Sequence, residues 1–192
     1  MPTYVILLRA VNVGSTGKLP MADFRKLLAD VKCTNVETYI QSGNAVVDAK
    51  CSAAALGKAV AAALTKYMGS AVPVLVRTHA ELECVIKENP FAAEAAADGA
   101  RVHAVFLSEV HPAAKAKELQ QIVTKYPTRR DRFHLSGNTL YLHLPDGAGE
   151  SKFTAQSVDR ILGGTGTARN WNTVLKLREM AGVKGKGLGN RD

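Results

Sequence analysis

Apolar and polar positions along the first ninety residues alternate between two periods. Tyr4 to Arg9 reads as a strand, with Val5 and Leu7 on one side and Ile6 and Leu8 on the other, so this strand is expected to be buried on both faces. Pro20 then opens a helix whose apolar positions Met21, Phe24, Leu27, Leu28 and Val31 follow the 3.6-residue period. Two strands, Val36 to Ile40 and Ala45 to Val47, flank Gln41-Ser42-Gly43-Asn44, where glycine and asparagine can take the positive φ of a tight hairpin. Ser52 caps a second helix carrying Leu56, Val60, Leu64 and Tyr67 on one face, and Val72 to Val76 reads as a fourth strand. Thr78 and Glu81 have capping-box spacing ahead of Leu82, Val85 and Ile86.

The same order returns after the alanine-rich stretch Ala92 to Gly99. Arg101 to Leu107 is a strand, and a helix with Leu119, Ile122, Val123 and Tyr126 follows it. Arg132 to Leu135 and Thr139 to Leu144 flank Ser136-Gly137-Asn138, the triplet that stands at Ser42-Gly43-Asn44 in the first half. Ser151 starts a further helix with Val158, Ile161 and Leu162, and Trp171 to Met180 forms the closing one. This is the signature of a duplication. The predicted fold class is α+β: two tandem ferredoxin-like (βαββαβ, α-β plait) units with extra helices, packed together. The first covers 1–92, the second 99–182, and 183–192 forms a flexible basic tail. The other half is the simplest cover for the second face of each sheet.

Composition narrows the setting without naming a reaction. At 46% hydrophobic and 22% charged residues the chain is ordinary for a globular protein and can build a packed core. Cys33, Cys51 and Cys84 are odd in number, widely spaced and without neighbouring histidines, which reads as reduced thiols and no bound metal. The start of the chain lacks the charge and apolar length of a secretory signal, and no apolar run reaches the roughly 20 residues that cross a bilayer. The expectation is a cytoplasmic protein with no membrane partner and no cofactor. Lys and Arg outnumber Asp and Glu by 25 to 17, a net charge of +8, which favours polyanions such as nucleic acid, or nucleotides, as partners.

Three segments carry candidate chemistry. Gly14-Ser15-Thr16-Gly17-Lys18 joins a strand to a helix, a context for phosphate, yet only two residues separate its glycines where a Walker A loop has four, and Leu19 follows the lysine, so it is no Walker A loop. Topology brings Arg9, Asn12 and Lys18, at the end of the first strand, towards the turn bearing Gln41, Ser42 and Asn44. These six could form a ligand site, or the asparagines could serve the turns and Arg9 the packing. Gly163-Gly164-Thr165-Gly166-Thr167, read as a flexible loop, precedes Arg169, Asn170, Trp171 and Asn172. It offers a second anion site at a helix start, or a helix cap with Trp171 as a core anchor. The five histidines show no HExxH pair and no serine sits in a GxSxG elbow, while His103, Tyr141 and His143 are expected to share one sheet face.

Leu8-Arg9-Ala10-Val11-Asn12-Val13-Gly14, Tyr39-Ile40-Gln41-Ser42-Gly43-Asn44, Asn89-Pro90-Phe91 and Arg169-Asn170-Trp171-Asn172-Thr173 together resemble the bacterial domain of unknown function 1697 family. The resemblance implies two ferredoxin-like plaits and no particular reaction. The chain departs from that pattern at Ser15-Thr16-Gly17, where the family is associated with a Gly-Lys-Asn stretch. Three functions stay open: binding of a phosphate-bearing ligand, an enzyme with Arg9, Lys18 and a base such as Asp48 or Glu37 between the halves, or a protein-interaction module.

Overall fold

A computed structural model describes residues 1–12 and 17–186. The chain forms two compact units, one comprising Met1–Cys84 with the end of the last helix from Lys176, the other Val85–Leu175. The first holds β1 (Thr3–Leu8), α1 (Met21–Asp30), β2 (Thr34–Tyr39), β3 (Asn44–Asp48), α2 (Ala53–Met68), β4 (Val74–Thr78) and most of α3 (His79–Lys87). The second holds α4 (Ala92–Ala97), β5 (Val102–Leu107), α5 (Lys115–Lys125), β6 (Arg132–Ser136), β7 (Thr139–His143), α6 (Ala155–Leu162), β8 (Gly166–Asn170) and the start of α7 (Trp171–Lys186). The fold class is α+β. Two four-stranded sheets have the same order, β2-β3-β1-β4 and β6-β7-β5-β8, and every pairing is antiparallel.

Local chemistry accounts for several helix ends. Pro20 stands at the N-cap of α1 with φ −58°. The Ser52 hydroxyl accepts the Ala55 N–H at 3.3 Å at the start of α2, and Gly69 closes that helix at φ +71°. Thr78 and Glu81 form a reciprocal capping box, with the Thr78 N–H donating to Glu81 Oε2 at 2.7 Å and the Glu81 N–H to Thr78 Oγ1 at 3.2 Å. In the first unit Tyr4, Ile6, Leu8, Ala45 and Val47 pack with Phe24 and Leu28 of α1 and Leu56, Val60 and Leu64 of α2. Val5 and Leu7 are also fully buried, so β1 is enclosed on both faces. Tyr67, expected on the apolar face of α2, is 45% exposed and its hydroxyl donates to Asp23 Oδ2 at 2.8 Å.

Four expectations change. The first unit ends inside α3 rather than at residue 92, because the following segment packs on the second sheet: the buried Tyr141 hydroxyl donates to the Val85 carbonyl at 3.0 Å. Ser151 starts no helix. It is buried, donating to Asp131 Oδ2 at 2.8 Å and accepting from Phe153 N–H at 3.0 Å, while Thr154 caps α6 through the Ser157 N–H. The glycine-rich stretch is not all loop, since Gly166–Asn170 pairs along β5 as β8. Glycine is a poor strand former, but tertiary pairing overrides propensity, and a Cβ at Gly166 would lie only 3.0 Å from side-chain atoms of Val105 and Leu107. Finally, α7 continues to Lys186, past the expected start of a flexible tail, and 187–192 lie outside the described residues.

Candidate functional site

The end of β1 is tied to its surroundings by backbone hydrogen bonds and by the Asn12 side chain. Leu8 N–H donates to the Gly43 carbonyl at 2.8 Å and Arg9 N–H to the Pro73 carbonyl at 3.1 Å, after which the backbone turns through left-handed φ at Ala10 (+53°) and Asn12 (+55°). The Asn12 amide then spans two segments. Its Nδ2 donates to the Leu19 carbonyl at 2.9 Å and to the Gln41 carbonyl at 2.8 Å, and its Oδ1 accepts the Leu19 N–H at 2.8 Å. The strand end, the approach to α1 and the β2–β3 turn are thereby joined. Around this joint Arg9 and Ser42 are half-buried, and Lys18 and Gln41 are exposed. Residues 13–16, most of the Gly14–Lys18 segment, lie outside the described residues.

Asn44 has another job. It is fully buried in β3, and its Nδ2 donates to the Tyr39 carbonyl at 3.1 Å and Ser42 Oγ at 3.0 Å. The positive φ of the turn falls on Gly43 (+74°) and Ile40 (+49°), not on Asn44. Ile40 is β-branched and 50% exposed, a residue type that the left-handed region disfavours by roughly 1–2 kcal/mol. Ile40→Asn is therefore expected to stabilise the protein by about 1 kcal/mol, read as a higher denaturation midpoint. An unchanged or lower midpoint would show that the Ile40 side chain contributes more than its backbone strain removes.

Neither proposed carboxylate base joins this group as expected. Asp48 ends β3 four residues beyond Asn44, roughly 13 Å away at about 3.3 Å per residue. There it accepts from Thr3 Oγ1 at 2.6 Å and Asn35 Nδ2 at 2.7 Å. Glu37 pairs with Val46 midway along β3.

The second anion candidate is dispersed. Arg169 is buried in β8, where its Nη1 donates to Thr167 Oγ1 at 2.7 Å and the Ala168 carbonyl at 2.8 Å, and burial pushes the guanidinium down to about 10. Asn170 Oδ1 accepts the Thr173 N–H at 3.0 Å, a helix cap. Asn172 is exposed with its amide against Gly99, and Trp171 is buried as a core anchor.

A family model described as "Protein of unknown function (DUF1697)" matches residues 1–141, which include the whole strand-end joint. The chain belongs to the DUF1697 family. No curated protein matches it. Among solved structures it is similar to the conserved bacterial protein SP0830 from Streptococcus pneumoniae, with a TM-score of 0.70 and 20% identity over 95% of this chain and 99% of that one. At that identity the likeness shows the fold alone.

The DUF1697 chain also carries a cluster that its sequence concealed. Arg132 on β6 donates to Glu94 Oε1 of α4 and to His143 Nδ1 at 2.9 Å, with its guanidinium 5.1 Å from the Phe91 ring centre. Because arginine can only donate, His143 Nδ1 accepts and the ring proton lies on Nε2. The pairing of Arg132 with His143 could be counted outward from the Ser136-Gly137-Asn138 turn, but nothing local points to Phe91 or Glu94. His103 does not share the face of Tyr141 and His143. It pairs with Leu142, so the two-residue period of the strand sends it to the opposite side. Among the described residues no group of three His, Cys, Asp or Glu side chains could hold a metal, and no helix is long and apolar enough to cross a membrane. Burial pushes the Cys33 thiol up to about 11.

Burial and then the Arg132 charge hold His143 below its ordinary 6.5, with Glu94 opposing. Burial likewise lowers His103, against a smaller opposing effect of the Arg101 carbonyl. As pH falls past about 6.5 the unfolded chain therefore takes up these protons first, and stability is lost from there down through the folded pKa values. The melting temperature is expected to fall between about pH 7 and pH 5, less steeply in His143→Asn. An NMR titration placing His143 at or above 6.5 would refute this.

Proposed function

We propose that this protein binds a phosphate-bearing ligand, a nucleotide or nucleic acid, at the end of the first sheet. In this reading Arg9 supplies a planar fork of donors and Lys18 a mobile point charge, while Gln41 and Ser42 orient the ligand through uncharged contacts. Asn12 and Asn44 hold the frame. The observation that carries the reading is the bridge from Asn12 to both Leu19 and Gln41, which draws the segment bearing Lys18 to the turn bearing Gln41 and Ser42. The net charge of +8 supports an anionic partner. The strand order shared by the two sheets supports two ferredoxin-like units, and the unpaired cysteines a cytoplasmic setting.

Thermal shift at low salt with phosphate, ATP and short oligonucleotides tests the proposal. A ligand at 100 times its dissociation constant stabilises the folded state by about 2.7 kcal/mol. Arg9→Ala and Lys18→Ala are expected to weaken that response and the exposed control Lys125→Ala to leave it. Equal responses from all three variants would mean diffuse charge only, and the site would be withdrawn.

A further inference from the structure

Two cysteines open onto one cavity of the first unit. Thr34 pairs with Asp48 where β2 and β3 run side by side, so Cys33, just before Thr34, and Cys51, shortly after Asp48, leave the hairpin at the same end. Both line a cavity of about 630 Å³ there, with Lys32 and Lys50 beside them. This is the end of the sheet opposite the β2–β3 turn and the anion site proposed above. The two thiols differ in exposure. Cys33 is buried, its N–H donating to the Leu28 carbonyl at 3.0 Å, whereas Cys51 is exposed in the connection between β3 and α2, its carbonyl accepting the Tyr4 hydroxyl at 2.8 Å. Burial, and after it the charge of Cys51, holds the Cys33 thiol up at about 11, an influence that a like charge exerts only from nearby.

We propose that Cys33 and Cys51 are a reversible oxidation site, where oxidised glutathione, a low-molecular-weight disulfide, is reduced and the two cysteines are joined. The exposed thiol reacts first. A Cys51 thiolate attacks one sulfur of oxidised glutathione, forming a mixed disulfide and expelling one glutathione thiolate. Lys32 and Lys50 favour this encounter, since glutathione is a net anion and among the described residues the lining carries no carboxylate. The Cys33 thiolate then attacks the Cys51 sulfur, closing the internal disulfide and expelling the second glutathione thiolate. Protons from the two protein thiols pass to the two glutathiones, so two electrons leave the cysteines and reduce one glutathione disulfide. Once Cys51 is in the mixed disulfide its charge is gone, which removes one of the two causes that keep Cys33 protonated. Closure needs the two Cα atoms within roughly 7 Å, and the adjustment falls on the exposed Lys50 and Cys51 rather than on the buried Cys33. Cys84, exposed on α3, lies outside the lining and takes no part.

The test uses the full chain, reduced and then freed of reductant, with oxidised glutathione as the oxidant. Cys84→Ser should yield a product lighter by two hydrogens in intact mass, peptide mapping should place the same Cys33–Cys51 bridge in wild type, and dithiothreitol should reverse it. Cys33→Ser should stop at a glutathionyl group on Cys51. Cys33→Ala serves the same comparison if the serine variant folds poorly. Cys51→Ser should form no internal disulfide and should react at Cys33 roughly tenfold more slowly than wild type reacts at Cys51, because only a thiolate attacks. From the isolated mixed disulfide, closure should quicken roughly tenfold per pH unit below the Cys33 value for the same reason. The proposal is overturned by a bridge that includes Cys84, by disulfides between chains in place of the internal one, by a mixed disulfide that never closes in wild type, or by no reaction at Cys51.

Discussion

Gly43→Ala is expected to lower stability by about 3 kcal/mol, combining roughly 1–2 kcal/mol for a left-handed residue with a Cβ and roughly 1–3 kcal/mol for overpacking. Gly43 has φ +74°, and an added Cβ would sit 2.6 Å from Val11 Cγ2 and 2.7 Å from Leu8 Cβ. Leu8 cannot step aside, because it is almost fully buried and its N–H is bonded to the Gly43 carbonyl. The turn would have to move, taking Gln41 away from Asn12 and loosening the proposed anion site. In a protein stable by about 5–15 kcal/mol the loss is large, a fall of roughly 6–12 °C in melting temperature at this chain length. Gly137→Ala is the matched control. Its φ is +55° with nothing within 4 Å of the added carbon, so only backbone strain remains, about 1 kcal/mol. Equal losses at the two positions would refute the steric argument.

Phe24→Ala should cost about 3–5 kcal/mol, the range for deleting a buried aromatic ring. Phe24 is fully buried where α1 meets Tyr4, Ile6, Leu8 and the inner face of α2, and it is among the largest fully enclosed side chains of the molecule. Removing the ring forfeits its transfer from water and leaves a cavity between two elements that are anchored independently, α2 by its Ser52 cap and β1 by pairing on both edges. Such a site collapses little, so the loss belongs near the top of the range. Phe24→Leu, which keeps most of the volume, should cost clearly less. Urea denaturation measures both, and a Phe24→Ala loss below about 1 kcal/mol would show that the core repacks.

What the sequence determined by itself is what short-range chemistry controls. The helix faces, the Ser52 cap, the Thr78–Glu81 box, the turn at Gly43 and the double burial of β1 all follow from contacts within a few residues or from a period of 2 or 3.6. The meeting of Asn12 with the β2–β3 turn was legible too, but only through the strand order that the pattern implied. Tertiary structure decided the rest. Ser151 looked like a cap until Asp131, twenty residues earlier, claimed its hydroxyl, and Gly166–Asn170 became a strand only because β5 offered an edge. His103 and His143 were separated by pairing register, which reverses the face of a side chain with every one-residue step. Arg132 met Glu94 across 38 positions. In each case the deciding partner lies far along the chain, where neither propensity nor periodicity carries information about which side chain will arrive.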